Sequence, residues 1–320
     1  MRLTAWRGFL GGMVSFSVIV GGVSAQFKTY APDSNPGSGT CNVLPMGTFE
    51  VRCQLLVARQ YLPPIAARIT DVAFAPCSNA SFSAARMQIR MTHTNLSTFV
   101  GATNYARNLG PCPIVVYNGP FSWTASSRQW SPLGTRCDFG YDGRQNVLIE
   151  LRFLAASGTT SVRRATMIPR LSTYGAGAFS AVTGTGDNAG AKLELSYDTA
   201  RVLLTNPTAR IGSTAPIMIS GAPGGQAVQV AASLGQLPLP LGPFRVCLSV
   251  DSVFLASIQV GPPVFVDYSG TVPASGTFTS RLVLPNIPAL VGTCVYHAAV
   301  FFSGGNISGC TNTAALQINP

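Results

Sequence analysis

The chain has 320 residues, of which 47% are hydrophobic and only 10% are charged, and this composition excludes intrinsic disorder. Its net charge of +10 is carried by arginines scattered along the sequence, with Arg163 and Arg164 as the one adjacent pair. We interpret these arginines as solvated strand faces, and we expect no nucleic acid as a partner. Arginine replaces lysine almost everywhere, which is typical of a GC-rich bacterial genome.

The first 25 residues have the features of an export signal. Arg2 and Arg7 give a positive start, an apolar stretch follows from Phe9 to Val20, and residues 23–25 form a small-residue cleavage site. A transmembrane anchor is the competing interpretation, but the stretch is shorter than the roughly 20 apolar residues that a span requires. We therefore predict a signal peptide over residues 1–25 and a secreted bacterial protein, extracellular or at the cell surface, with no transmembrane segment in its mature chain.

The cysteine content fits an oxidising compartment. No C-x-x-C spacing occurs, which disfavours metal clips and thioredoxin-type chemistry. Either a disulfide joins the two halves of the chain or one thiol in each half stays free, because each half holds an odd number of cysteines. Five precede residue 200 and three follow it: Cys41, Cys53, Cys77, Cys112, Cys137, Cys247, Cys294 and Cys310.

Alternation of apolar and polar residues predicts an all-β fold. In Asn146–Phe153, the side chains of Val147, Ile149, Leu151 and Phe153 share one face, as in a half-buried antiparallel strand. No amphipathic helix of three turns is evident, and the best helical candidate is the short segment Gln54–Arg59. Further strands are predicted at Thr48–Val57, Ile69–Phe74, Met87–His93, Pro113–Tyr117, Lys192–Tyr197 and Val202–Thr205.

A change of composition near residue 200 divides the chain. Acidic residues almost vanish after Arg201, where Asp251 and Asp267 remain, and prolines cluster. A mature chain of this length favours two domains. We predict one β-sandwich over residues 27–200 and a second, smaller one over residues 203–320.

Three segments of the first half resemble a module of secreted and surface proteins of environmental bacteria: Ile89–Thr94, Phe121–Trp123 and Tyr141–Phe153. The resemblance implies a jelly-roll or concanavalin-like sandwich, often attached to adhesins and hydrolases and not itself catalytic. The second half resembles small C-terminal sandwich domains without assigned activity, through Gly212–Gly225 and Arg281–Gly292. For this half the resemblance implies an Ig-like sandwich.

The two histidines are candidates for catalysis, but we expect neither to act. His93 lies in phase with the inward side of its strand, where a backbone carbonyl or a nearby hydroxyl usually holds a histidine. His297 lies in a strand that has the composition of a buried one. No G-x-S-x-G elbow is present for a serine triad, and one histidine in each half cannot build a multi-histidine metal site.

Paired carboxylates are the least excluded route to catalysis, since glycoside hydrolysis needs only two acids. The three glutamates are Glu50, Glu150 and Glu194, each on a strand face. Glu150 shares its face with Arg152, and we interpret the two as a surface polar pair.

Oxygen ligands in one loop offer a candidate calcium site. Asp138 and Asp142 precede a predicted strand, where sandwich modules sometimes hold structural calcium. The competing interpretation is an Asp-Gly turn that caps this strand.

Trp123 and Trp130 are the candidate ligand-binding residues. They flank a short polar turn, so a hairpin could place both indoles on one face for stacking on a sugar ring. The alternative is that both rings anchor the core near a sheet edge.

These features together predict a non-catalytic extracellular binding or structural protein, with a polysaccharide or a cell-surface component as ligand. No catalytic residue is assigned, and no cofactor is expected apart from structural calcium. One alternative is a carbohydrate-active enzyme, a glycosidase or a lyase, that uses paired carboxylates. Another is a packing subunit of a surface layer or filament.

Overall fold

The computed structural model describes residues 26–47 and 49–320. Strands make up 53% of the described residues and helices 7%, in several antiparallel sheets, which confirms the all-β fold class. The predicted export signal lies outside the described residues. Helices of 18 or more residues that are apolar enough to cross a membrane are absent from the part that the structure describes.

The first half contains fourteen of the described strands and one short α-helix, α1 (Tyr105–Leu109). Its strands are β1 (Gln26–Ala31), β2 (Thr40–Asn42), β3 (Val51–Val57), β4 (Ala67–Phe74), β5 (Ala80–Thr94), β6 (Ile114–Ala125), β7 (Ser131–Pro132), β8 (Phe139–Tyr141), β9 (Asn146–Ser157), β10 (Val162–Ala165), β11 (Arg170–Tyr174), β12 (Thr185–Asp187), β13 (Gly190–Ala191) and β14 (Leu193–Asp198).

The second half contains twelve of the described strands and the helix α2 (Ser252–Gln259). Its strands are β15 (Val202–Thr205), β16 (Thr208–Arg210), β17 (Thr214–Ser220), β18 (Ala227–Ser233), β19 (Pro238–Leu241), β20 (Phe244–Cys247), β21 (Phe265–Val266), β22 (Ser269–Thr271), β23 (Phe278–Val283), β24 (Cys294–Ser303), β25 (Asn306–Cys310) and β26 (Ala314–Asn319). Single 3-10 turns occur at Arg59–Tyr61, Ala178–Ser180 and Pro288–Leu290.

Two large sheets enclose the core of the first half. One has the strand order β12-β11-β3-β9-β5-β6, and the other has the order β1-β14-β4-β7 with β8 beside β4. A third, smaller sheet has the order β13-β10-β2. The inward set predicted for β9 is confirmed, because Val147, Ile149, Leu151 and Phe153 are all 0% exposed within this core. The prediction of a half-buried strand was wrong, because Leu148 and Glu150 on the opposite face are also 0% exposed. The opposite face of the six-stranded sheet, called here the outer face, carries the polar side chains of the same strands.

The described second half forms three sheets of its own: β15-β17-β23-β21, β16-β26-β24-β18-β22 with β25 beside β24, and the two-stranded β19-β20. Between the halves, the described strands share only the isolated bridge Phe139–Thr313. The division into domains at residues 200–203 stays a prediction, as do the jelly-roll and Ig-like topologies. Tyr296 and Ala298 of β24 pack into the core of the first half, so the two halves are in apolar contact.

Three disulfides form among the described cysteines. Cys41–Cys77 lies within the first half, whereas Cys112–Cys294 and Cys137–Cys247 join the halves. Cys53 and Cys310 remain free thiols, one in each half. Both alternatives left open by the odd cysteine counts therefore occur together. Disulfides of this kind fit an extracellular location.

The best helical candidate was wrong, the overlapping strand predicted at Thr48–Val57 is confirmed over Val51–Val57, and the short helix α2 was not predicted. The candidate helix at Gln54–Arg59 is mostly strand, since β3 continues to Val57 and pairs with both β9 and β11. Pairing on both sides overrides a local helical preference. The helix α2 was missed: it begins after Asp251, whose side chain accepts a hydrogen bond from the Phe254 amide and so caps the first turn.

His297 of β24 is fully buried in the core of the second half. Neither ring nitrogen has a hydrogen-bond partner among the described residues, and the ring centroid lies 6.3 Å from that of Tyr268. Burial lowers the pKa of this imidazole from 6.5 to about 3. The ring is therefore neutral at pH 7, and its two nitrogens are desolvated without compensation.

We expect His297→Leu to raise the free energy of unfolding by roughly 1–3 kcal/mol at pH 7, because it removes two unpartnered polar atoms. The unfolded chain binds a proton near pH 6.5 and the folded chain only near pH 3, so wild-type stability falls as the pH drops through this window. The slope is at most about 1.4 kcal/mol per pH unit. Urea denaturation at pH 7, 5 and 4 measures both effects, and equal pH slopes in wild type and variant would contradict them.

Candidate anion-binding site

The structure gives the two predicted tryptophans different surroundings. Trp123 is 5% exposed in the core of the first half, and its Nε1 donates a hydrogen bond to the Pro132 carbonyl at 3.0 Å. Trp130 is half-buried against Tyr30, with 5.5 Å between ring centroids, and its Nε1 donates to the Ser34 carbonyl at 3.3 Å. Their role in ligand binding stays a prediction, and Trp123 leaves little ring surface for it.

The predicted calcium ligands each have other partners. Asp138 pairs with Arg68 at 3.1 Å, and burial raises the pKa of its carboxyl although the charge of Arg68 opposes the shift. Asp142 accepts hydrogen bonds from the backbone amides of Arg144 and Gln145 at 2.8 and 3.1 Å, as in the capping turn considered as the alternative. No cluster of three acidic, histidine or cysteine side chains suited to a metal occurs in the described ranges. The calcium site stays a prediction.

His93 is half-buried at the end of β5. Its Nε2 accepts a hydrogen bond from the Asp142 backbone amide at 3.2 Å, so its partner is a backbone N–H where a carbonyl or hydroxyl was expected. The ring lies 4.9 Å from that of Phe139, and burial lowers the pKa of the imidazole although Asp142 opposes the shift. These contacts describe a histidine held in place by the turn before β9.

The three glutamates have separate partners. Glu50 accepts a hydrogen bond from the Gly177 amide at 2.9 Å, and Glu194 binds Lys28 at 2.8 Å. The interpretation of Glu150 as part of a surface polar pair was wrong, because its side chain is 0% exposed. The outer face of the sheet is covered at this point by neighbouring side chains.

Three arginines and one glutamine surround the Glu150 carboxylate. Oε2 accepts from Arg52 Nε at 3.0 Å and from Gln54 Nε2 at 2.9 Å. Oε1 accepts from Arg90 Nε at 3.0 Å, from Arg152 Nε at 2.6 Å and also from Arg90 Nη2. Each arginine thus uses its Nε to hold the carboxylate, which fixes the direction of its terminal nitrogens.

The strand register brings these residues together. Gln54 of β3 and Arg90 of β5 lie directly opposite Glu150 on its two sides, and Arg52 lies opposite Arg152 one step along. Side chains directly opposite on one face of a sheet have Cβ atoms about 5 Å apart. Long arginine side chains from three adjacent strands can therefore reach one carboxylate.

Electrostatics keep this group ionised. Burial opposes the charge on Glu150, but the guanidinium groups of Arg90, Arg152 and Arg52 outweigh it and lower the pKa of the carboxyl. Burial also lowers the pKa values of Arg52 and Arg152, although the charge of Glu150 opposes the shift.

The helix α1 forms a wall beside this cluster. Tyr105 is fully buried: its hydroxyl donates to the Arg52 carbonyl at 3.0 Å, and the Arg52 guanidinium lies 4.4 Å from its ring centroid. Tyr105 and Leu109 pack on Leu148 of the outer face. With these two residues anchored, Arg107 on the opposite side of the helix is exposed.

The segment that follows α1 is fastened to the second half of the chain. Cys112 forms a disulfide with Cys294. The Gln236 side chain binds the start of β6: it donates a hydrogen bond to the Pro113 carbonyl at 3.0 Å and accepts one from the Val115 amide at 2.9 Å. The wall of the cluster is thus held by both halves.

Between this wall and the arginines lies a cleft of about 590 Å³, called here the arginine cleft. The side chains of Arg90 and Arg152 are 19% and 16% exposed. Within the described chain, both terminal nitrogens of Arg152, Nη1 of Arg90 and the guanidinium of Arg107 have no acceptor. The cleft is lined by Arg52, Arg90, Ala106, Arg107, Leu109, Gly110, Pro111, Pro113 and Arg152.

We expect Glu150→Gln to lower the free energy of unfolding by roughly 3–5 kcal/mol, because it leaves three clustered guanidinium groups without a counter-charge. Glu194→Gln is the control for a buried carboxylate with a single charged partner: the Glu194 side chain is 6% exposed, but Lys28 is 54% exposed and stays solvated when the charge is lost, so the loss should be smaller, roughly 1 kcal/mol. Urea denaturation at pH 7 compares the two variants. Equal losses would show that the Glu150 cluster contributes no more than the single pair of Lys28 and Glu194.

No protein-family model matches the chain, and no curated protein matches it. Structural similarity links it to a candidate beta-galactosidase from Bacteroides fragilis, with a TM-score of 0.22, 8% identity, and coverage of 83% of this chain and 30% of that one. A glycosyl hydrolase family 2 member from Bacteroides cellulosilyticus has a TM-score of 0.18 and 6% identity, and the match covers 92% of this chain and 36% of that one. A chain named BspA_C_WT has a TM-score of 0.18 and 13% identity, and the match covers 92% of this chain and 93% of that one. The chain spans about a third of the two glycosidase-related chains. At these TM-scores the similarities carry no argument about fold or activity.

Proposed function

We propose that the chain is a secreted, non-catalytic binding protein that holds an acidic polysaccharide in the arginine cleft. The observation that carries this proposal is the set of guanidinium donors that face the cleft without an acceptor in the described chain, on Arg90, Arg107 and Arg152. Donors that are already directed and lack partners favour a ligand that supplies acceptors.

The charge balance favours an anionic ligand. Four guanidinium groups line the cleft, and Glu150 is the one carboxylate of the described chain that pairs with any of them. The net charge of this group of side chains is therefore +3. The paired terminal nitrogens of a guanidinium match two oxygens of a carboxylate or a sulfate. Because Glu150 already fixes the Nε atoms of Arg90 and Arg152, little side-chain entropy remains to be lost on binding.

The same contacts support binding over turnover. A glycosidase needs a carboxyl group that can donate or accept a proton next to its substrate. Glu150 is fully buried, its oxygens are occupied by arginines and Gln54, and its pKa is lowered. Glu50 and Glu194 share no partner with it among the described residues, so the glutamates supply no convergent pair.

The size of the cleft and the location of the protein favour a sugar polymer. About 590 Å³ lies within the range of sites for small organic ligands, and is large for a lone inorganic anion. Disulfides fit an extracellular protein, and polysaccharides that carry carboxylates or sulfates are anions found outside cells. Carboxylate and sulfate are two sources of one ligand chemistry, which the experiment separates.

We expect the protein to bind polygalacturonate, dextran sulfate or both, and to leave neutral dextran unbound, in calorimetric titrations at low salt. Arg152→Ala should weaken binding by roughly 10- to 100-fold, since it removes a charged hydrogen-bond donor pair. Added NaCl should weaken binding further by screening.

The control is Arg144→Ala, which removes an exposed arginine outside the cleft and should preserve affinity. Equal affinity for dextran and dextran sulfate, or no effect of Arg152→Ala, would overturn the proposal. Release of reducing ends from either acidic polymer would favour the enzyme alternative.

The tryptophan hypothesis is tested in the same titrations. Trp130→Ala should leave the affinity for the acidic polymers unchanged, because its indole contacts Tyr30 and Ser34 and does not line the cleft. A loss of affinity as large as that caused by Arg152→Ala would show that the ligand binds at the predicted tryptophan site.

A further inference from the structure

We infer that the arginine cleft is one end of a longer site and that Arg86 supplies a second anion subsite. The occupant is then a chain that carries acidic groups on at least two sugar units. This inference rests on the proposed function, because it extends the same binding surface.

Strand β5 carries the surface from one subsite to the other. Arg86, Gln88 and Arg90 alternate with the buried residues Met87 and Ile89, so all three polar side chains lie on the outer face. At about 3.3 Å per residue, the Cα atoms of Arg86 and Arg90 are about 13 Å apart. The Gln88 side-chain amide between them has no partner among the described residues and can bind sugar hydroxyls.

Arg86 is held in the same way as Arg152. Its Nε donates to the Asn118 side-chain oxygen at 3.0 Å, as the Nε of Arg152 donates to Glu150. No described residue accepts from the terminal nitrogens of Arg86, and the side chain is exposed. Both arginines therefore present an open, directed pair of donors.

One aromatic ring supports both guanidinium groups. The Phe179 ring centroid lies 5.5 Å from the Arg86 guanidinium carbon and 5.8 Å from that of Arg152. Cation–π contact holds the two groups without consuming their terminal donors. The loop of Phe179 is itself fixed, because Glu50 accepts from the Gly177 amide and Arg52 Nη1 donates to the Ala181 carbonyl.

Two subsites on one rigid sheet predict a dependence on ligand length. Once the first acidic group is bound, a second group on the same chain reaches its subsite at high effective concentration. A single acidic sugar can fill only one subsite, so it gains nothing from Arg86.

The experiment compares galacturonate with oligogalacturonates of increasing length, and sulfated dextran fragments as a parallel series, by calorimetry. Wild type should bind tighter as the chain lengthens, until both subsites are filled. Arg86→Ala should leave the affinity for the shortest ligand unchanged and weaken the long oligomers by roughly tenfold. Arg144→Ala is the control and should match wild type at every length.

Two results would overturn the inference while preserving the cleft: long oligomers that bind no tighter than the monomer, or an Arg86→Ala variant that weakens all lengths equally. Absence of binding to both series would overturn the inference together with the proposed function. Arg86 is exposed, so its variant should retain the wild-type thermal unfolding midpoint, which confirms that affinity changes are local.

Discussion

The buried carboxylate of Glu150 is the constraint on which the outer face of the six-stranded sheet depends. Strands β3, β9 and β5 place Arg52, Arg152 and Arg90 side by side, and their mutual repulsion would be large away from water. Glu150 relieves it from the centre of the group, at the cost of its own desolvation. Because it binds the Nε atoms, it also leaves Nη1 of Arg90 and both terminal nitrogens of Arg152 without an acceptor in the described chain. One interaction therefore stabilises the sheet face and, in the function that we propose, directs free donors toward an external anion.

The second half of the chain contributes to this face indirectly. Its strands form separate sheets, yet it supplies Cys294 and Gln236, which fasten the segment between α1 and β6. Pro111 and Pro113 of this segment line the arginine cleft beside α1. Because the segment is a loop, it needs contacts with the rest of the protein to keep its conformation. The disulfide and the paired hydrogen bonds of Gln236 provide that support from two directions. The packing of Tyr296 into the first core adds an apolar contact between the halves.

The sequence was sufficient for the fold class but not for the site, and β9 shows why. Alternation correctly identified which side chains of β9 face the core. It also placed Glu150 on the other face, but it could not reveal what covers that face. Arg52 and Arg90 lie 98 and 60 residues from Glu150 in the sequence, and only the strand register joins them. Arginines that are far apart in the sequence therefore form a cluster that the sequence alone did not predict. The same lack of register information left Gln54–Arg59 as a helical candidate that overlapped a predicted strand, and pairing with β9 and β11 makes it a strand as far as Val57.

Protein surfaces bind sugars through stacking on exposed aromatic rings or through directed polar groups, and this sheet face uses its aromatic residues in another way. Tyr105 and Phe179 lie against the guanidinium groups of Arg52, Arg86 and Arg152 instead of standing free for a ligand. An aromatic face attracts a cation without occupying its hydrogen-bond donors, so the ring replaces part of the lost hydration and the donors stay available. In the function that we propose, selectivity comes from the charge of the ligand and the spacing of its charged groups. The affinity of such a site should depend on ionic strength more strongly than the affinity of a tryptophan stacking site does.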